Sequence, residues 1–232
     1  MRDPRDTAKR FIETNHPDCE GAMLAGSCAR GEAIQTSDLD IIILYKGESR
    51  AYRESLFFEG WPVEVFVYTG EAYQNFFVSD AKRGIPSMPR MVSEAIVLKE
   101  SPDVTKMKSE ASSIFAAGPS PWDKQKINHN RYMITNLIDD FLDKEVDGEA
   151  YFLANAIVND LAIFTLRTRQ HWIGSGKWMF RELKSMDSNL ANQFEQSLAA
   201  FYKQHDKRPI VQLADDCLEP FGGRLFEGYY LG

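Results

Sequence analysis

Asp38-Leu39-Asp40 stands at the head of an apolar run, Ile41-Ile42-Ile43-Leu44, and a third acid, Glu64, lies inside Val63-Glu64-Val65-Phe66-Val67. Strand side chains alternate, so Asp38 and Asp40 project from one face, separated by roughly 6.5 to 7 Å of strand rise. With Glu64 on a nearby strand, three carboxylates would converge at one end of a sheet. Such an unshielded negative cluster is costly unless a cation resides in it. Hard divalent ions with oxygen ligands, chiefly Mg²⁺, fit. Two ions about 3.5 to 4 Å apart activate an attacking hydroxyl and stabilise the leaving oxygen of an in-line phosphoryl displacement. Upstream, Gly26 has no side chain to keep backbone N–H groups from a triphosphate, and the Ser27 hydroxyl and the start of a short helix can donate to its oxygens. A donor loop beside an acid cluster predicts nucleotide plus metal.

These residues need a sheet to hold them. Residues 4–15 read as a helix capped by Asp3, and 21–25 as a short apolar strand ending at Gly26-Ser27. The strand over 38–45 is apolar on both faces in its middle, as a central strand covered from both sides requires. Segments 54–59 and 62–68 flank Gly60-Trp61 as a hairpin, and the second of them carries Glu64. Helices are predicted over 71–83 and 103–117, with a last strand near 95–99. Beyond Gly118-Pro119-Ser120-Pro121 only helical periods remain, near 122–145, 149–172, 177–185, 188–204 and 209–219. The expected fold class is α+β: a catalytic domain over 1–118, with a mixed sheet flanked by helices, followed by an all-α helical bundle over 119–232 that serves the acceptor. The segment 151–172, apolar nearly all round, is expected at the bundle's centre.

Composition excludes several classes. The chain has 232 residues, 44% apolar and 26% charged, the balance of a folded globular protein. Its 27 Lys plus Arg against 34 Asp plus Glu leave a net charge of -7, so the basic footprint of a nucleic-acid binder is missing. Cys19, Cys28 and Cys217 form no paired framework, and the charged start is unlike a secretory leader. No apolar run is long enough to span a membrane, and a cytoplasmic protein is expected.

The stretch GSCARGEAIQTSDLDIIIL resembles the G-S-x-x-R-G-x(5)-S-D-x-D signature of the polymerase-β-like nucleotidyltransferase superfamily, with Glu64 in the third-acid position. The resemblance covers roughly residues 20–70. The helical half is similar only in outline to the accessory bundle of small bacterial members such as the aminoglycoside nucleotidyltransferases. It implies that Gly26 and Ser27, with Ser37 and Arg30 of the same signature, lie at the nucleotide phosphates. It further implies that Asp38, Asp40 and Glu64 hold two Mg²⁺ ions, Asp40 bridging them. The nucleotide is an NTP, taken as ATP, and the acceptor a small-molecule hydroxyl, on charge grounds an aminoglycoside-like cation. Glu64, one methylene longer than Asp, is left with two roles, metal ligand or base. Arg30 is left with phosphate contact or an ion pair to Glu32 or Asp38.

Outside the signature, Asp139 centres a polar stripe of Asn128, Tyr132, Thr135 and Asp139, opposite the apolar arc Met133, Ile134, Leu137, Ile138, Phe141 and Leu142. Relatives use an acid of the helical domain as general base, which makes Asp139 the candidate, set against an ordinary solvated face. Lys177 follows Gly174-Ser175-Gly176 and is a candidate for reaching the triphosphate, though no P-loop spacing is present. Two other readings stay open: an antitoxin-like enzyme that nucleotidylates a protein, and a silent nucleotide-binding module. A homodimer is compatible with the sequence.

Overall fold

A computed structural model describes residues 3–231. The chain divides into two compact units, the first ending at Gly118 and the second beginning at Pro119. Among the described residues no helix is long and apolar enough to cross a membrane.

The first unit is built on a five-stranded mixed sheet in the order β3-β4-β2-β1-β5. Its strands are β1 (Gly21–Ala25), β2 (Leu39–Tyr45), β3 (Arg50–Phe58), β4 (Trp61–Thr69) and β5 (Ile96–Lys99), and β2 and β4 run parallel while the other neighbours are antiparallel. The continuous apolar run of β2 follows from burial on both faces. Ile41 and Ile43 join Phe11 and Ile12 of α1 (Pro4–Asn15) on one side, with Val63 and Val65 of β4. Ile42 and Leu44 point the other way, into a core with Phe77 of α3 (Tyr73–Arg83), Val92 of α4 (Ser87–Glu94) and Met107 of α5 (Pro102–Ala117). Strict alternation therefore fills both cores from one strand. A four-residue helix, α2 (Gly26–Ala29), follows β1 directly.

Three local expectations are corrected. β3 begins at Arg50, four residues earlier than 54, because an edge strand exposed along most of its length shows no apolar alternation to read. The hairpin turn is Glu59-Gly60 rather than Gly60-Trp61: φ is +48° at Glu59 and +84° at Gly60, the pair of left-handed residues a two-residue turn needs, while Trp61 is buried in β4 opposite Phe58. Helix α4, which no predicted element covers, starts beside two prolines, Pro86 before it and Pro89 in its first turn. Proline is tolerated in a first turn, where N–H groups lack intrahelical partners, and here the buried Asp80 carboxylate accepts the Met88 N–H at 2.8 Å.

The second unit is helical: α6 (Lys124–Asp143), α7 (Gly148–Thr168), α8 (Lys177–Met186), α9 (Ser188–Gln204) and α10 (Arg208–Leu218), then a 3₁₀ turn at Glu219–Phe221. Asp123, Asp147 and Asp187 cap α6, α7 and α9 by accepting first-turn N–H bonds. Helix α7 packs against α6, α8, α9 and α10 and is the central member of the bundle. The buried stripe of α6 is Arg131, Ile134, Thr135, Ile138 and Phe141, whereas Met133 and Leu142 of the anticipated apolar arc are exposed. The polar stripe is largely covered by the chain's own C-terminal segment. Arg131 donates to the carbonyls of Gly222 at 2.7 Å and Gly223 at 2.9 Å, Thr135 accepts the Leu225 N–H at 3.0 Å, and Tyr132 stacks on Tyr229 with ring centroids 4.0 Å apart. Side chains able to hydrogen-bond make a buried face here, a pattern that apolar periodicity misses.

Candidate active site

Strand register brings the three acids together. Asp40 on β2 lies opposite Glu64 on the parallel strand β4, and Asp38 sits two residues before it, just outside the strand. One carboxylate oxygen from each of Asp38, Asp40 and Glu64 can be chosen so that all lie within 4.8 Å of one another, and all three residues are half-buried. Burial, followed by the charges of Asp38 and Glu64, pushes the Asp40 carboxyl up to about 6, against the opposing pull of Arg53 and Arg30. A site whose acids resist carrying their charges together is one that a hard cation would relieve. The donor set, oxygen only, suits Mg²⁺.

Gly26 follows β1 where Ala25 pairs with Asp40. Its φ is +67°, and a Cβ there would stand 1.9 Å from Asp40 Oδ2, so conformation and space both demand glycine. The following loop is tied down by its own side chains. Ser27 donates to the Ser37 hydroxyl at 3.2 Å, Ser37 Oγ accepts the Ile34 N–H at 2.9 Å, and the Cys28 thiol donates to the Asp38 carbonyl at 3.1 Å. Ser37 is buried, so its place is behind Ser27, where it orients that hydroxyl. Arg30 makes the ion pair to Glu32, at 3.2 Å, and a second to Glu94 of α4, at 3.0 Å.

Residues 6–83 match the nucleotidyltransferase domain family. All three acids and the Gly26-Ser27 loop fall inside that nucleotidyltransferase domain, which supports nucleotidyl transfer as the general function and a transferase as the enzyme class. No curated protein matches the sequence. Among solved structures, a nucleotidyltransferase-like protein from Exiguobacterium sibiricum 255-15 is similar, at 12% identity and a TM-score of 0.46, over 93% of this chain and 73% of that one.

Two features of the first unit were not legible in the sequence. Arg53 of β3 forms an ion pair with Glu64 and lies over the Phe66 ring, 5.0 Å from its centroid. Register pairs Ser55 with Glu64 and Arg53 with Phe66, which makes Arg53 and Glu64 diagonal neighbours on one face. A strand started at residue 54 leaves Arg53 in a loop, so continuing the pairing back to Arg50 was the signal needed. The second feature is a pocket of ≈ 580 Å³ that opens at Asp40 and Glu64.

The remaining candidates belong to the helical unit. Asp139 is exposed on α6 with Arg224 Nη1 3.6 Å away, and Arg224 is held more closely by Asp215, at 2.7 Å. Lys177 is the exposed first residue of α8. Asn155 and Asn159 on α7 are exposed as well.

Proposed function

We propose that the chain transfers a nucleoside monophosphate from an NTP, taken as ATP, to a hydroxyl of a small-molecule acceptor, with release of pyrophosphate. The observation that carries this reading is the convergence of Asp38, Asp40 and Glu64 beside the glycine that Asp40 itself requires at position 26. Mg²⁺ bound by these acids supplies the positive charge that an in-line displacement at phosphorus needs. The chain's own groups do the rest. Backbone N–H groups at Gly26 hold the β and γ phosphates together with the Ser27 hydroxyl, which turns its hydrogen from Ser37 to them, and Arg30 and Lys177 add cationic charge to the phosphates. The acceptor oxygen bonds to the α-phosphorus as the bond from that phosphorus to the β-phosphate bridge breaks. The hydroxyl proton needs a carboxylate as base, the role for which Asp139 is the candidate, and Glu64 would serve as a metal ligand.

The test is transfer of α-phosphate label from each NTP, with Mg²⁺, into aminoglycosides, a metabolite extract and the protein itself, with Asp40→Asn as control. Label on a small molecule that vanishes in the variant supports the reading. Label on protein alone, or none at all, overturns the small-molecule acceptor.

A further inference from the structure

The pocket at Asp40 and Glu64 is set on one side of the acids. In the order β3-β4-β2-β1-β5, Gly26 and Ser27 follow β1, on one side of Asp40, whereas the pocket extends over β4 and β3 on the other. An in-line displacement places the entering and leaving oxygens on opposite sides of phosphorus. With pyrophosphate leaving on the Gly26 side, the pocket is where an acceptor enters.

Aromatic rings and thioethers make up much of its wall. Phe66 and Tyr68 of β4 face Phe76 of α3 and Met88 and Met91 of α4. Tyr68 donates its hydroxyl to the Met88 thioether at 3.2 Å and meets Phe76 edge-on at 5.5 Å, so of the two phenols in the lining Tyr68 is already engaged, while Tyr52 is an exposed residue of the edge strand β3. Flat rings and polarisable thioethers favour a planar apolar body, and beyond the two acids the lining side chains offer a polyamine only hydroxyl acceptors, such as those of Tyr52 and Ser87. The one cation in the lining, Arg53, continues the flat surface over Phe66 and holds Glu64. Were Glu64 to hold a metal ion, the Arg53 guanidinium would be freed from it, and its fork is shaped for a second carboxylate or phosphate.

We infer that the acceptor is a planar, largely apolar hydroxyl compound bearing an anionic group, seated against Phe66, Phe76 and Met91 with its anion on Arg53. This rests on the transfer reading above and replaces the aminoglycoside-like acceptor that net charge suggests. The volume of ≈ 580 Å³ suits a ligand of two or three fused rings.

The experiment uses the full chain with Mg²⁺, a non-transferable α,β-methylene ATP, and the fluorescent probe 6-hydroxy-2-naphthoate, with neutral 2-naphthol and a 2-deoxystreptamine aminoglycoside as comparisons. Naphthoate is expected to bind alongside the nucleotide analogue. Met91→Trp, which fills the pocket, should weaken it about tenfold or more with the analogue's Kd unchanged. Should Met91→Trp fail to fold, Phe76→Ala, at a more exposed position, serves in its place. Arg53→Gln should weaken naphthoate about tenfold and 2-naphthol less than about twofold, separating the anion from the ring. Naphthoate that competes with the nucleotide analogue, or binds equally well to Met91→Trp, overturns the inference. So does label transfer to the aminoglycoside that is unchanged in the pocket variants, an outcome that leaves the transfer reading standing. Pocket-dependent naphthoate binding with no label transfer to any acceptor instead counts against the transfer reading.

Discussion

Gly26 and Asp40 are packed so closely that a methyl group on the first would stand 1.9 Å from a carboxylate oxygen of the second. The Gly26 loop and the Asp40 carboxylate are thereby one steric unit. Gly26→Ala is expected to lose transfer and also metal affinity, because the new Cβ displaces the carboxylate. The φ of +67° adds a backbone penalty of about 1 kcal/mol. Mn²⁺ titration followed by electron paramagnetic resonance, beside chemical unfolding, checks both. Unchanged Mn²⁺ affinity would refute the steric link.

Asp40 makes metal-free stability depend on pH. Its carboxyl is raised from 3.8 to about 6 by burial and by Asp38 and Glu64, so the folded state binds this proton more tightly than the unfolded chain. The contribution is complete below pH 4 and is lost as pH rises through about 6, a change of roughly 3 kcal/mol. Asp40→Asn is expected to be more stable than the metal-free wild type at pH 8 and about equal to it at pH 4. Mg²⁺ should stabilise the wild type at pH 8 and do little for the variant, which should also lose transfer. Thermal unfolding across pH with and without Mg²⁺ reads all of this.

Arg30 is shared between Glu32 and Glu94, both partly exposed, so its ion pairs contribute about 1 kcal/mol at most. Glu94→Gln should therefore barely change stability. If Arg30 serves the triphosphate, Arg30→Gln raises KM for the NTP by about tenfold, the cost of one charge-assisted contact. A variant with unchanged KM and only a lowered unfolding midpoint would assign Arg30 to structure.

Asp139 is exposed, and its partner Arg224 is held more tightly by Asp215. Asp139→Asn should leave stability within about 0.5 kcal/mol and lower kcat by about a hundredfold with KM for the NTP unchanged, as expected for a lost general base. Equal kcat would return Asp139 to the solvated surface. Lys177→Ala should act on the nucleotide instead, raising its KM several-fold while kcat holds, and steady-state kinetics with varied NTP separates the two.

Local chemistry carried much of the molecule into its sequence. The alternation and double burial of Ile41 to Leu44, the cap at Asp3, and the spacing from Gly26 to Asp40 are properties of neighbouring residues, so strands, most helices and the acid pair were legible without coordinates. Glu64 was legible as a carboxylate inside a β-branched strand, where an unexplained charge asks for a partner. Pairing between distant segments was not. Only the parallel register of β2 with β4 sets Glu64 opposite Asp40, and only the antiparallel register of β3 with β4 brings Arg53 diagonally to Glu64. Likewise the stripe of α6 that reads as open is occupied by residues 222–229, nearly a hundred positions away in sequence. Periodicity reports which side of an element is apolar; what covers that side depends on contacts between residues far apart in the chain, and these the tertiary structure alone decided.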